Sequence, residues 1–423
     1  MSSSPILTSL LPDSAFLGDS ETTIGGVSLR ELATTYGTPL FVYDETTLRS
    51  RAKEAASVFD DGVAFASKSF LCGAMARLAY EEGLCIDVAT GGELDIVLRS
   101  GVPANRIILH GNNKSAEEIK RALNVGIHRL IVDNFDEIAL LRSFVSPSTP
   151  LDVLVRVTPG VEAHTHEFIM TGHEDTKFGL SVATGDARRA ISLLREIPGI
   201  TVRGVHAHIG SQILDFEGFQ KELDVLAAFT ADDNFDELCV GGGLGVAYVE
   251  GEEAPSLTQW GMAIRKAAAE AGLSSAVRLL AEPGRAIVAQ AGVTLYTVGA
   301  VKPVTQRTYM SVDGGMSDNP RPVLYGSGYE VFDVAQPLSE RPQSVRLVGK
   351  HCESGDVLVE TAFLPASTGV GSIICTPVTG AYGYSMASNY NRVPRPAVVF
   401  VKDGEARLVL RRETFDDLAR LEV

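Results

Sequence analysis

Residues 107–133 read IILHGNNKSAEEIKRALNVGIHRLIVD, and this stretch decides the fold. A short apolar run (107–111) meets a polar turn. A helical stretch (116–126) follows, in which Ile119, Ala122 and Leu123 recur at i, i+3 and i+4, the spacing of one helix face. A second apolar run (129–133) closes the unit. The order is strand, turn, helix, strand, which is how a parallel sheet with helical crossovers is written.

Outward from this unit, the same pattern recurs between residues 63 and 284. Strand-like runs lie at 63–67, 85–90, 107–111, 129–133, 152–158, 204–209, 237–240 and 278–281, with helical stretches such as 73–83 and 257–271 between them. Eight such runs favour a (β/α)8 barrel over a doubly wound open sheet. In a barrel of this kind the working residues sit just past the C-terminal ends of the strands. That rule selects the polar residues that matter.

After about residue 293 the pattern changes. Runs at 293–301, 309–312, 344–348, 372–375 and 396–401 are strand-like, with Gly, Pro and Asp between them. Lys402-Asp403-Gly404-Glu405 carries an Asp-Gly hairpin signal. The expected second domain is mostly antiparallel β. A short helix (28–36) and a strand (40–43) near the N-terminus are expected to join it. The domain reading is a barrel over 45–293, with 1–44 and 294–423 forming the β-rich domain.

Composition narrows the function classes. The 423 residues carry 37 Lys+Arg against 53 Asp+Glu, a net charge of −16, which disfavours nucleic acid as a partner. The five cysteines, Cys72, Cys85, Cys239, Cys352 and Cys375, show no CxxC spacing, so a disulfide framework or structural zinc is not expected. No signal peptide and no apolar run of membrane-spanning length is visible. The reading is a cytoplasmic protein.

Phe65-Ala66-Ser67-Lys68 puts a lysine at the end of the first strand. It is either a surface loop lysine or, if desolvated among apolar neighbours, a Schiff-base lysine at the barrel mouth. His206-Ala-His208-Ile-Gly210-Ser211-Gln212 follows the sixth strand. Two His at i and i+2 share a face, but no third ligand follows at metal-site spacing, so no metal is expected. One of the two can be a buried, satisfied histidine, and His208 can lie flat on an aromatic cofactor with Ser211 donating to its phosphate. Gly241-Gly242-Gly243-Leu244-Gly245 follows the seventh strand, where barrels recurrently hold phosphate on bare backbone N–H groups. A Rossmann fingerprint would instead open the first unit. Glu282-Pro283-Gly284-Arg285 follows the eighth strand: Arg285 suits an anion, and Glu282 suits a pyridine nitrogen that must stay protonated. In the second domain Cys352, set between charged residues, suits a short proton donor.

Together these residues resemble the fold-type III pyridoxal-5'-phosphate-dependent decarboxylases from about Thr38 to about Ala397. The carrying motifs are Ala-Ser-Lys68, Asp87-Val-Ala-Thr-Gly-Gly-Glu-Leu, Thr171-Gly172 followed by Lys177-Phe178-Gly179, His208-Ile-Gly-Ser-Gln, Gly-Gly-Gly-Leu-Gly, Glu-Pro-Gly-Arg285, Arg321-Pro with Tyr325, Cys352-Glu-Ser-Gly-Asp356 and Gly-Ala-Tyr382-Gly. The fold implied is the alanine racemase-like barrel with a β domain. The resemblance implies that Lys68 carries the cofactor as an imine, His208 stacks on its ring, Asp87 supports the site near the lysine and Glu282 pairs with the ring nitrogen. It implies that Gly242, Gly243, Ser211, Gly284, Arg285 and Tyr382 surround the phosphate. Arg285, Arg321, Tyr325, Glu353 and Tyr382 are implied to bind the substrate, and Cys352 to protonate it. Cys352 and Glu353 are implied to act across a homodimer. The family usually has Tyr-Ala-x-Lys-Ala-Asn where this chain has Phe65-Ala66-Ser67-Lys68-Ser69-Phe70.

The activity implied is decarboxylation of meso-2,6-diaminopimelate to L-lysine, because Arg321 and Glu353 together suit an amino-acid centre at the far end of the substrate. The alternative is another basic substrate on the same fold: ornithine, arginine or carboxynorspermidine. A racemase would not need the Cys352-to-Asp356 run, and a non-catalytic barrel would not need Lys68 or Cys352.

Overall fold

The computed structural model describes residues 8–59, 61–161 and 176–423. The Thr171-Gly172 pair lies outside the described residues. The chain forms two compact units. One comprises 51–245 with 254–286; the other comprises the chain up to Ser50, 246–253 and 287–423.

In the first unit all eight expected strands form: Ala64–Ala66, Cys85–Val88, Ile107–Leu109, Arg129–Val132, Leu151–Thr158, Ile200–His206, Glu237–Cys239 and Arg278–Leu280. Each pairs in parallel with the next. A parallel bridge between Val63 and Ala281, with the Ala64 N–H donating to the Ala281 carbonyl at 2.9 Å, joins the eighth strand to the first. Ala64, Cys85, Ile108, Ile131, Leu154, Cys239 and Leu280 form a buried cluster, drawn from seven of the eight strands. Strands covered on both faces read as continuous apolar runs, which is why they could be counted in the sequence.

The crossover helices are set by their ends. Ala116–Val125 starts at a capping box in which Ser115 and Glu118 satisfy each other's backbone N–H. It stops at Gly126, whose φ of 72° is left-handed and costs glycine little. Ile119 and Ala122 on its inner face are buried.

The second unit holds a sheet in the order Val357–Leu364, Gln343–Val348, Thr308–Val312, Gly292–Pro303, Leu40–Asp44, Ala397–Lys402, Glu405–Leu410. The sheet is mostly antiparallel, as expected, with two parallel pairings among the described strands. Leu40–Asp44 runs parallel to Ala397–Lys402, and Thr308–Val312 parallel to Gln343–Val348. No hairpin connects either pair, so no tight turn forces opposite directions. The Asp-Gly turn forms as read: Asp403 and Gly404 have φ of 52° and 82°, and Lys402 faces Glu405. The strand Val357–Leu364 escaped the reading because it is an edge strand with Glu360 and Thr361 exposed in its middle.

One buried charge network ties the barrel strands together near their C-terminal ends. The Lys114 ammonium donates to the carbonyls of Gly111 (2.7 Å) and Ile131 (2.6 Å) and lies 2.8 Å from Glu137. Glu137 in turn accepts from the Asp133 N–H at 2.9 Å. Asp133 accepts from Gly179 N–H and lies 3.9 Å from Arg156. Removing one partner of such a pair strands the other charge, which costs about 3–5 kcal/mol. Lys114→Met should therefore lose about that much in denaturant unfolding, and Lys114→Met with Glu137→Met should recover a large part of it. Equal losses in the single and double variants would show that the charge on Glu137 is not what is costly.

Candidate active site

At the end of the first barrel strand the chain makes a single 3-10 turn, Ser67–Ser69, closed by the Ser69 hydroxyl donating to the Ala66 carbonyl at 2.8 Å. Ser67, Ser69 and Phe70 are fully buried while Lys68 is exposed. This corrects the expectation of a lysine desolvated among apolar groups. Its surroundings are charged and polar instead: Lys68 acts electrostatically on Asp87 and on His208. Phe70, unusual at this position, is a core residue. Among the described residues the buried Ser67 hydroxyl has no hydrogen-bond partner.

Glu282, just past the eighth strand, is buried. His206, the last residue of the sixth strand, places Nε2 2.9 Å from Glu282 Oε2. His110, just past the third strand, places Nε2 3.1 Å from Oε1 and 3.5 Å from Asp87 Oδ1. The two imidazoles meet edge to face at 5.1 Å. Burial opposes ionisation of Glu282, but the two histidines outweigh it and hold its pKa well below the usual carboxylate range. Burial likewise opposes charge on His110, and Asp87 and Glu282 overcome it, so its pKa rises. For His206 burial wins and its pKa falls. Asp87 is pushed up to about 6 by burial, against the pull of His110.

The sequence reading found His206 and Glu282 but not their meeting, and it found no third ligand. The fold brings His110 to them: side-chain nitrogen and oxygen atoms of His110, His206 and Glu282 all lie within 4.8 Å of one another. Each imidazole sits at hydrogen-bond or ion-pair distance from the carboxylate, so the three satisfy each other. His110 could have been found by the rule that found Lys68, since it too ends a barrel strand. Arg156, buried within the fifth strand, is a second omission; its guanidinium stacks on the Phe178 ring at 4.3 Å.

The glycine run after the seventh strand has the shape of an anion cradle. Gly241 and Gly243 take φ of 65° and 108°. A Cβ on Gly243 would lie 2.6 Å from the Gly210 carbonyl, and one on Gly241 2.6 Å from the Ala207 carbonyl. A Cβ on Gly284 would meet the Ser69 hydroxyl at 2.9 Å. Backbone this closely packed can present N–H groups where side chains would obstruct them. Gly242 N–H donates to His208 Nδ1 at 3.2 Å, which puts the proton of a neutral His208 on Nε2. Burial and the Lys68 charge hold the His208 pKa well below normal, so a neutral, flat ring faces the site. Arg285 is buried and donates to the Ser211 hydroxyl at 2.9 Å.

In the other unit, Arg321 is buried with its guanidinium 4.0 Å from the Tyr248 ring centroid and its Nη2 3.1 Å from the Ser327 hydroxyl. It also donates to the Tyr329 hydroxyl at 2.5 Å. Tyr325 is half-buried. Cys352 and Glu353 are exposed, and the Cys352 N–H donates to Asn391 at 3.0 Å. Asp356 anchors the same loop by accepting from the N–H groups of Met316 (2.6 Å) and His351 (2.9 Å). Tyr382 takes φ of 59°, a left-handed conformation uncommon for a bulky residue and found most often where function demands it.

A barrel with a lysine, a neutral histidine, a glycine cradle with an arginine and a buried carboxylate at its strand ends is the architecture of a cofactor enzyme. Residues 45–289 match the family described as pyridoxal-dependent decarboxylase, pyridoxal binding domain. The chain belongs to this family. It is 46% identical over 422 residues to the diaminopimelate decarboxylase of Mycobacterium tuberculosis, spanning 95% of this chain and 94% of that one. The Bacillus subtilis diaminopimelate decarboxylase matches equally, at 46% over the same shares. Among solved structures, the diaminopimelate decarboxylase of M. jannaschii in complex with L-lysine superposes with a TM-score of 0.89 at 31% identity, covering 97% of this chain and 98% of that one.

The Asp87 environment can be read directly. In the cofactor-free protein its carboxyl carbon should titrate by NMR with a midpoint near the value of about 6 set by burial, neutral below it and charged above. A midpoint of about 4, the ordinary value for aspartate, would mean that the carboxylate is solvated.

Proposed function

We propose that this chain decarboxylates meso-2,6-diaminopimelate to L-lysine and CO2, the last step of bacterial lysine synthesis, with pyridoxal 5'-phosphate as cofactor. The observation that carries the reading is the buried Glu282 carboxylate held anionic by two histidines. An anion there is matched to a cationic ring N–H, and the charge is wasted without one. The crowded glycines at 241–243 and 284, and the orphaned Ser67 hydroxyl beside Lys68, fit the rest of the group. The relatives' shared name favours diaminopimelate over ornithine, arginine or carboxynorspermidine.

When bound, the cofactor supplies an electron sink for the charge left on the substrate carbon as CO2 departs. The chain does the rest. Lys68 would hold the cofactor covalently through its amine. Glu282 would keep a ring nitrogen protonated, and neutral His208 would add no charge beside the ring. Asp87 supports the site near Lys68. Gly242, Gly243, Ser211, Gly284, Arg285 and Tyr382 hold the phosphate. Arg285, Arg321, Tyr325, Glu353 and Tyr382 orient the substrate so that the bond to the departing carboxylate is the one activated. Cys352 delivers a proton to the carbon that lost CO2.

Residues 45–293 act in this reading as the cofactor-binding barrel, and 1–44 with 294–423 as the domain that completes the site. The enzyme works as a homodimer in which Cys352 and Glu353 serve the site of the partner subunit; their exposure in the single chain supports this. It acts in the cytoplasm, in keeping with five free cysteines. Among the described residues no helix is long and apolar enough to cross a membrane.

The test is CO2 release from meso-diaminopimelate, lysine, ornithine and arginine offered to the purified protein. Release from the first alone is expected; release from ornithine or arginine at a comparable rate would overturn the substrate assignment. Lys68→Ala should abolish both turnover and the absorbance of lysine-bound cofactor. Cys352→Ala should keep the cofactor and slow turnover by about 10²–10⁴-fold, the usual value of a positioned proton-transfer group.

A further inference from the structure

Two carboxylates, Asp87 and Glu282, share one buried imidazole. His110 Nε2 is 3.1 Å from Glu282 Oε1 and 3.5 Å from Asp87 Oδ1. The contact is an ion pair, not an aligned hydrogen bond, since its N–H points squarely at neither oxygen. His206 differs. Its Nε2 makes a hydrogen bond to Glu282 Oε2 at 2.9 Å, and its buried Nδ1 has no partner among the described residues. A bare buried lone pair costs less than a bare buried N–H, so His206 is neutral with its proton on Nε2. His110, with Nε2 close to two carboxylates where His206 meets one, is the ring placed to carry a positive charge.

We propose that His110 is a positioning residue: as an imidazolium between Asp87 and Glu282 it lets both carboxylates stay ionised, and so fixes Glu282 as a permanent anion for the cofactor's ring nitrogen. The inference rests on the reading of Glu282 as partner of that nitrogen. Like charges this close cannot both ionise without a counter-charge. The other groups that act on the cluster do not replace it. Lys68 and Glu93 act on Asp87, Arg156 acts on both histidines and, less than on Asp133, on Glu282 and Asp87, and the Cys239 thiol lies against Glu282. Lys68 cannot serve as that fixed cation, because its amine is committed to the cofactor. Arg156 is itself engaged with Asp133.

If His110 works by neutralising the second carboxylate, then removing that carboxylate should make His110 dispensable. In the holoenzyme, His110→Gln should weaken cofactor binding by at least about tenfold, the effect of losing one close opposite charge. It should also let the ring nitrogen lose its proton within the neutral range, read by nitrogen NMR of labelled cofactor. Asp87→Asn combined with His110→Gln should restore ring protonation and most of the affinity. No rescue by Asp87→Asn would overturn the proposal. In the wild-type protein at about pH 6.5, the ordinary histidine midpoint, nitrogen NMR should show His110 mostly protonated on both ring nitrogens and His206 mostly on one. A singly protonated His110 would overturn the proposal even if the variants failed to fold. Wild-type protein without lysine-bound cofactor would instead count against the proposed function, so the two failures are distinct.

Discussion

An ionised carboxylate buried in a barrel is the constraint on which this protein depends. Burying an unpaired charge costs several kcal/mol, and the usual escape is protonation. Glu282 is denied that escape by His110 and His206, contributed from the ends of the third and sixth strands. Three strands distant in sequence must therefore reach their registers together before the charge is tolerable. The barrel closure that joins the eighth strand to the first does the same work for Lys68. Ala66 N–H donates to the Pro283 carbonyl at 3.2 Å, so the lysine turn and the Glu282–Arg285 segment are neighbours by backbone hydrogen bonding alone. Gly284 has no side chain because the Ala66 carbonyl and Ser69 hydroxyl occupy the space one would need.

Charge in this unit is arranged in layers around that centre. Lys114, Glu137, Asp133 and Arg156 form a chain in which two carboxylates, linked through the Asp133 N–H, are flanked by two cations near the third, fourth and fifth strand ends. Lys114 at one end is held by backbone carbonyls and Asp133 accepts from the Gly179 N–H, so the network fixes loops as well as charges. The second unit uses a different device. Arg321 is buried against the faces of aromatic rings, which accept a guanidinium without neutralising it. An arginine presented in that way keeps its charge for a ligand.

Much of this was legible in the sequence, for a physical reason. Barrel strands buried on both faces leave uninterrupted apolar runs, so eight of them could be counted, and the strand-end rule then selected Lys68, His208, the glycine run and Glu282–Arg285. The illegible parts are those made by distance or by edges. Glu282 and His206 are 76 residues apart, and nothing local in either segment announces the other. His110 carried a usable positional signal that went unread. Tyr248 and Tyr329, which box Arg321, are ordinary aromatics until the fold brings them to it. Val357–Leu364 was hidden because exposed Glu360 and Thr361 interrupt its apolar run. The expectation of a desolvated Lys68 failed because its buried neighbours are small hydroxyls and its outlook is charged.

Barrel closure joins the Lys68 turn to the Glu282–Arg285 segment, and the proposed function makes Lys68 the residue that carries the cofactor. The most direct measurement is borohydride reduction of the protein as purified with pyridoxal phosphate, followed by peptide mapping. One reduced pyridoxyl group per chain is expected, on the peptide containing Lys68. A label on Lys114, Lys177 or any other lysine, or no stable label at all, would contradict it.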